Sequence, residues 1–172
     1  MQRIFFLIFI LVLTLHASFS EDKLKVIIMG KVAKYVVWQK KEKKEKNFYI
    51  TIIDNPFGTL PKEIYKDKKI NNKPIILNFI KNIQELKHTD MLFIPKSQAS
   101  QLQNIIHTIK GQGIFTVSDI KGFAQKKGML QLYFVSRKIK LKINLDAVKK
   151  EHLNIRSTLL RIAKVIKEKD EI

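Results

Sequence analysis

The segment Phe48 to Gly58, FYITIIDNPFG, decides how the rest of the chain is read. Phe48 to Ile53 are all β-branched or aromatic, the composition of a strand covered on both faces. A strand of that kind belongs in the middle of a parallel sheet, where helices cover both sides. Asp54-Asn55-Pro56-Phe57-Gly58 then stops it, because Asp, Asn, Pro and Gly each favour a turn for their own stereochemical reason. Downstream the same alternation repeats. A short helix over Thr59–Asp67, with Pro61 in its first turn, leads through Asn71-Asn72 to a second strand, Lys73–Phe79 (KPIILNF). A helical turn over Asn82–Leu86 precedes a third strand, Asp90–Pro95 (DMLFIP). From Ser97, the spacing of Leu102, Ile105, Ile106 and Ile109 predicts a helix that Gly111 and Gly113 end, and the fourth strand is Gly113–Val117.

Beyond Val117 the pattern changes. Met129–Val135 (MLQLYFV) and Lys138–Leu145 (KIKLKINL) both alternate apolar with polar residues and are separated only by Ser136-Arg137, which predicts an antiparallel hairpin. Lys138, Lys140 and Lys142 would face water and blunt a sheet edge. A last helix, from about Asn154 to Glu168, turns Ile155, Leu159, Leu160, Ile162, Ala163 and Ile166 inward. Upstream, Leu24, Ile27, Ile28, Val32, Tyr35 and Val36 give Asp22–Gln39 the apolar face of a helix, and KKEKKEK (Lys40–Lys46) is a solvated connection. The expected architecture is α/β: a single three-layer domain with a mixed, mostly parallel sheet of about six strands, helices on both faces, and a C-terminal antiparallel hairpin followed by a helix.

The N-terminus assigns a compartment. Arg3 is the only charged residue before Glu21, and Ile4 to Leu15 is apolar except for Thr14. A charged start, an apolar run of about a dozen residues and a small-residue exit form a signal peptide. Residues 1–20 are therefore read as a leader cut after Ser20, and 21–172 as the mature domain. Ala17 allows an earlier cut, and an uncleaved anchor is the competing reading. The expected destination is outside the cytoplasm.

The formal net charge of the chain is +18, and loss of Arg3 lowers it by one. Such a field favours acidic partners, but the lysines are scattered and lack an interleaved aromatic platform, so nucleic acid is not an expected partner. The chain has no cysteine, which excludes disulfides and thiolate metal sites. Its histidines (His16, His88, His107, His152) include no pair at helical zinc spacing, so no metal site is expected. No nucleophile elbow, phosphate-binding glycine loop or HExxH motif occurs, so neither catalytic residues nor a cofactor are assigned.

Two loops collect chemically capable residues. Asp54, Asn55 and Phe57 follow the first strand; Ser118, Asp119 and Phe123 follow the fourth. The carboxyl ends of parallel strands are where such sheets bind ligands, so both loops are expected on one rim. Asp54 and Asp119 would serve as acid and base only if they came close, and both segments are equally ordinary turn and capping chemistry. Tyr35 and Trp38 complete the set, as core-edge anchors or as a partner-binding surface on the first helix.

Several stretches, in order, resemble one known family. They are Lys31-Val-Ala-Lys-Tyr-Val-Val-Trp38, the turn Asp54–Gly58, Met91–Pro95 with Ser97, and Thr116-Val-Ser-Asp-Ile-Lys-Gly-Phe-Ala124 with Gly128-Met129-Leu130. Lys142–Leu145 and Ser157–Ala163 complete the series. Together they are similar to the YfiR-like family of periplasmic proteins, over about residues 30–165. Two features depart from the family pattern: Trp38 is followed by Gln39 where the family has proline, and the cysteines of some members are missing, so redox control is not carried over. The resemblance implies a non-catalytic periplasmic regulator. It would bind the periplasmic sensor region of an inner-membrane diguanylate cyclase, repressing cyclic-di-GMP synthesis and biofilm formation, or act with a sensor kinase. A second copy of the chain is a further candidate partner. Against this stand two other classes, a periplasmic small-molecule binding module that exploits the basic field, and a hydrolase using Asp54 and Asp119.

Overall fold

The computed structural model describes residues 21–38 and 45–167. Residues 1–20, expected from the sequence to be a leader, and most of the charged connection, Lys40–Lys44, lie outside the described residues. Among the described residues no helix is long and apolar enough to cross a membrane.

Helix α1 covers residues 21–33 and is followed by β1 (Val36–Trp38). The strand β2 (Phe48–Ile53) then leads through α2 (Leu60–Tyr65) to the short β3 (Lys69–Ile70) and to β4 (Lys73–Ile80). After a 3-10 turn at Ile83–Glu85 come β5 (Met91–Ile94), a second 3-10 stretch at Lys96–Gln101, α3 (Leu102–Thr108) and β6 (Phe115–Ser118). The chain closes with β7 (Leu130–Val135), β8 (Lys138–Asn144), α4 (Leu145–Lys150), β9 (Leu153–Ile155), α5 (Ser157–Leu160) and β10 (Lys164–Ile166).

Eight strands form one sheet in the order β10-β8-β7-β6-β5-β2-β4-β3, and β1 pairs with β9 in a separate antiparallel ribbon. The central run from β4 to β7 is parallel, as the alternation of strands and helices predicts. The β7–β8 pair is the expected antiparallel hairpin, Leu130 opposite Ile143 and Val135 opposite Lys138. Its turn places Ser136 and Arg137 at φ 47° and 62°, a left-handed pair usually left to Asn-Gly. A second hairpin joins β3 to β4, with Asn71 and Asn72 supplying the two positive φ angles of 50° and 66°.

Alternation along each strand builds two cores. Ile50 and Ile52 of β2, Met91 and Phe93 of β5, Phe115 and Val117 of β6 and Leu130 and Leu132 of β7 point to one face, where Val26, Met29, Val32 and Ala33 of α1 cover them. Ile53, Leu92 and Ile94 point to the other, against Leu102, Ile105 and Ile109 of the α3 segment and Phe123. Each large side chain so buried contributes about 1.5–3 kcal/mol. The three-layer α/β reading holds.

Four details of the expected architecture change. The first helix stops at residue 33, because Val36-Val37 are β-branched and follow a turn closed by the Tyr35 N–H on the Val32 carbonyl at 2.8 Å. Tyr35 then accepts from the Arg156 N–H at 2.9 Å, and Val36 to Trp38 pair with Ile155 to Leu153. The last helix is one turn, Ser157–Leu160. The residues before it are claimed by β1, and Lys164–Ile166 by the free backbone of β8 at Lys142–Asn144. Ile162, expected inside, is 70 % exposed. Two short strands, β3 and β10, raise the sheet to eight, so β8 is not its edge and Lys142 is half-buried.

Candidate functional site

Parallel strands β2, β5 and β6 all end on one rim of the sheet, and the two singled-out loops are there. β5 lies between β2 and β6, so Asp54 and Asp119 start two strand spacings apart, roughly 9–10 Å. Neither shares a hydrogen-bond partner with the other. Among the described residues no hydrogen bond joins Asp54 to Asp119, and each loop has its own bonds.

After β2 the chain reverses through left-handed conformations at Asp54 (φ 52°), Asn55 (φ 22°) and Gly58 (φ 58°). Asp54 Oδ2 accepts from Gln98 Nε2 at 2.6 Å and from Ser97 Oγ at 3.3 Å, tying this loop to the 3-10 stretch after β5. The Asn55 amide donates to the Gly58 carbonyl at 2.9 Å, while its Oδ1 is buried with no protein donor. Phe57 is buried, its ring 4.8 Å from Phe93, and is a core residue.

After β6, Ser118 is fully buried, and its Oγ accepts from the Ile120 N–H at 2.9 Å, a local turn bond. Phe123 is fully buried and its ring lies against Gly128, where an added Cβ would sit 2.3 Å away. Phe123 packs into the smaller core, and Asp119 makes the polar contact beyond the loop. Its Oδ2 accepts from Lys25 Nζ of α1 at 2.9 Å, and Lys25 also donates to Asp22 at 3.0 Å. Burial by itself would push the Lys25 pKa down. The bonds and charges of Asp119 and Asp22 outweigh it and hold the ammonium above its ordinary range. The other oxygen, Asp119 Oδ1, is buried with no protein donor.

Asp119 and Lys25 line a cleft of about 560 Å³ at this rim. Because β7 continues past the end of β6, Gln131, Tyr133 and Phe134 overhang it. Lys96, at the start of the 3-10 stretch after β5, and Lys121, Gly122 and Lys142 complete the wall. Gln131 is 5 % exposed and its Oε1 also has no protein donor. A second cleft, of about 540 Å³ on the opposite rim, is more self-contained. The Glu151 carboxylate there accepts from the Gly111 and Gly113 N–H groups at 2.9 and 3.1 Å.

Tyr35 and Trp38 lie at the β1–β9 ribbon, away from these loops. Both are half-buried against the larger core, Trp38 stacking edge-on against Phe48 at 5.2 Å, with its Nε1 buried and lacking a protein acceptor. Sequence reasoning missed Lys25, Gln131, Lys96 and Lys142. The Asp22–Lys25 spacing of three on a helix was a readable sign of an ion pair. The link to Asp119, 94 residues away, carries no local signal. Among the described residues no group of His, Asp or Glu side chains is arranged to hold a metal ion.

The comparison with curated proteins finds no match. The comparison with family models matches the YfiR/HmsC-like family over residues 22–164, from the first turn of α1 into β10. The match takes in both loops, the cleft and the β1–β9 ribbon. The chain belongs to the YfiR/HmsC-like family.

Proposed function

We propose that this protein is a periplasmic regulator that binds the periplasmic sensor region of an inner-membrane diguanylate cyclase and keeps cyclic-di-GMP synthesis low. The observation that carries the reading is the family match across 22–164, nearly the whole described domain. The apolar run Ile4 to Leu15 behind Arg3 supports export. A binding role also agrees with the way the candidate catalytic residues are used: Asp54 ties two loops, Ser118 closes a turn and Asp119 holds Lys25.

Repression by binding requires differential affinity. The protein must hold the inactive state of its partner more tightly than the active one, since equal affinity shifts nothing. This reading puts the contact at the β1–β9 ribbon, where Val37 is 39 % exposed beside Tyr35 and Trp38. Deleting the gene is expected to raise cellular cyclic-di-GMP, wild-type protein to restore it, and Val37→Asp to restore it poorly while remaining folded. Unchanged cyclic-di-GMP on deletion, together with no membrane protein recovered by cross-linking, would overturn the proposal.

A further inference from the structure

The rim cleft has features that neither folding nor a partner surface explains. Four lysines, Lys25, Lys96, Lys121 and Lys142, line it against two acidic residues, Glu21 and Asp119. Among the described residues only Lys25 of these lysines is within ion-pairing distance of a carboxylate. The cleft thus carries surplus positive charge. Two of its lining residues, Asp119 and Gln131, have side chains about nine-tenths buried or more, and one acceptor of each, Asp119 Oδ1 and Gln131 Oε1, is closed to solvent and has no protein donor. A buried acceptor left unmatched costs about 1–3 kcal/mol, so a donor that reached either oxygen would be favoured. One flank is apolar and aromatic, from Leu132, Tyr133 and Phe134, and Lys142 Nζ sits 5.6 Å from the centre of the Tyr133 ring.

We propose that this cleft is a binding site for a small organic anion that also carries an amino group, an amino acid with an acidic side chain being the simplest form. The acid groups meet Lys96, Lys121 and Lys142, and the ammonium group meets Asp119 and Gln131. A volume of about 560 Å³ suits a small ligand, and the carboxyl rim of a parallel sheet is where such ligands lie. Neither half of the site is sufficient. Lysines alone select any anion, whereas acceptor oxygens of Asp119 and Gln131 reached by a ligand donor would discriminate against an acid that lacks it. α1 carries Glu21 and Lys25 into the wall, so occupancy bears directly on the seating of that helix. The inference concerns the mature domain alone and does not depend on the identity of the membrane partner.

The test is calorimetric titration of the mature domain with L-glutamate, L-aspartate, glutarate, succinate and inorganic phosphate at low ionic strength. Glutarate has the higher negative charge, so binding by the lysines alone ranks it above glutamate. The proposal expects the reverse, with the amino acids at least tenfold tighter than their des-amino counterparts. Lys121→Met, at an exposed position, should weaken glutamate at least tenfold and leave the melting temperature unchanged. Gln131→Leu should erase the preference for glutamate over glutarate, and a near-ultraviolet spectrum checks that this variant is folded. No saturable binding of either amino acid up to about 10 mM, the level at which a contact is too weak to be a site, overturns the proposal. So does equal binding of glutamate and glutarate, or binding that Lys121→Met leaves intact.

Discussion

The turns after β2 and after β6 carry almost the same kit, an aspartate followed within five residues by glycine and phenylalanine, yet they come to opposite ends. In the first, Asp54 is half-buried and bonds to the neighbouring Ser97 and Gln98. Its backbone swings through three left-handed residues, and while Phe57 enters the larger core the polar part of the loop stays at the surface. In the second, Asp119 bonds a lysine from the N-terminal helix, 94 residues away in sequence, and Phe123 is driven into the smaller core. The difference lies in the surroundings. α1 passes the end of β6, and the β7–β8 hairpin overhangs it, so the second loop is roofed and the first is not.

That contrast can be tested position by position. The largest effect is expected at Gly128→Ala, where the new Cβ meets the Phe123 ring at 2.3 Å inside a filled core. Urea denaturation should show a loss of about 3 kcal/mol, partly relieved by Phe123→Leu in the same chain. Gly58→Ala in the first turn meets nothing within 4 Å and suffers only from its φ of +58°, so a loss of about 1 kcal/mol is expected. If the two glycines cost the same, the second loop is not packed as described.

Next comes the ion pair. Lys25→Met leaves Asp119 buried without its cation and should cost about 2–3 kcal/mol. Asp54→Ala removes bonds at a half-exposed site and should cost about 0.5–1 kcal/mol. Chemical denaturation of the two variants under one buffer decides whether the loops differ in this respect.

The smallest effect is in pH dependence. The Lys25 pKa is raised in the folded protein above its ordinary 10.5, so its ammonium favours folding at every pH below that value. The contribution is lost as pH rises through the folded pKa. Through the neutral range the stability gap between wild type and Lys25→Met should be flat, and it should narrow only in strongly alkaline solution. A gap that narrows between about pH 6 and 8 would mean that another group controls the pair. Asp54→Ala should show no such alkaline convergence with wild type.

Much of the sheet was legible in the chain. β2, β4, β5 and β6 announce themselves by runs of β-branched and aromatic residues, and the β7–β8 hairpin by strict alternation, because burial on one or two faces writes directly into residue type. The ends of the chain were not. Ile155, Leu159, Leu160, Ala163 and Ile166 keep helical spacing, but β1 and β8 offer unpaired backbone to the same residues, and sheet pairing wins over spacing. Helix α4 escaped notice because Leu145 follows β8 without a break. Its start is marked by Asn144, whose side chain accepts from the Ala147 N–H at 2.9 Å. Of the candidate site, the two loops were placed on the correct rim, but Phe57, Ser118 and Phe123 proved to be interior residues.

Residue order alone determined the parallel α/β core, its two buried faces and the leader-like start, since each depends on local composition and on a period of two or of three to four residues. Whether Asp54 and Asp119 belong together was a matter for tertiary structure. So were the identity of Lys25 as the cation at Asp119 and the convergence of Lys96, Lys121, Gln131 and Lys142 on one cleft. The physical reason is range. A strand's burial is read from its own side chains, whereas a charge's partner is set by which distant segment the packing brings within about 3 Å, and no local pattern encodes that distance.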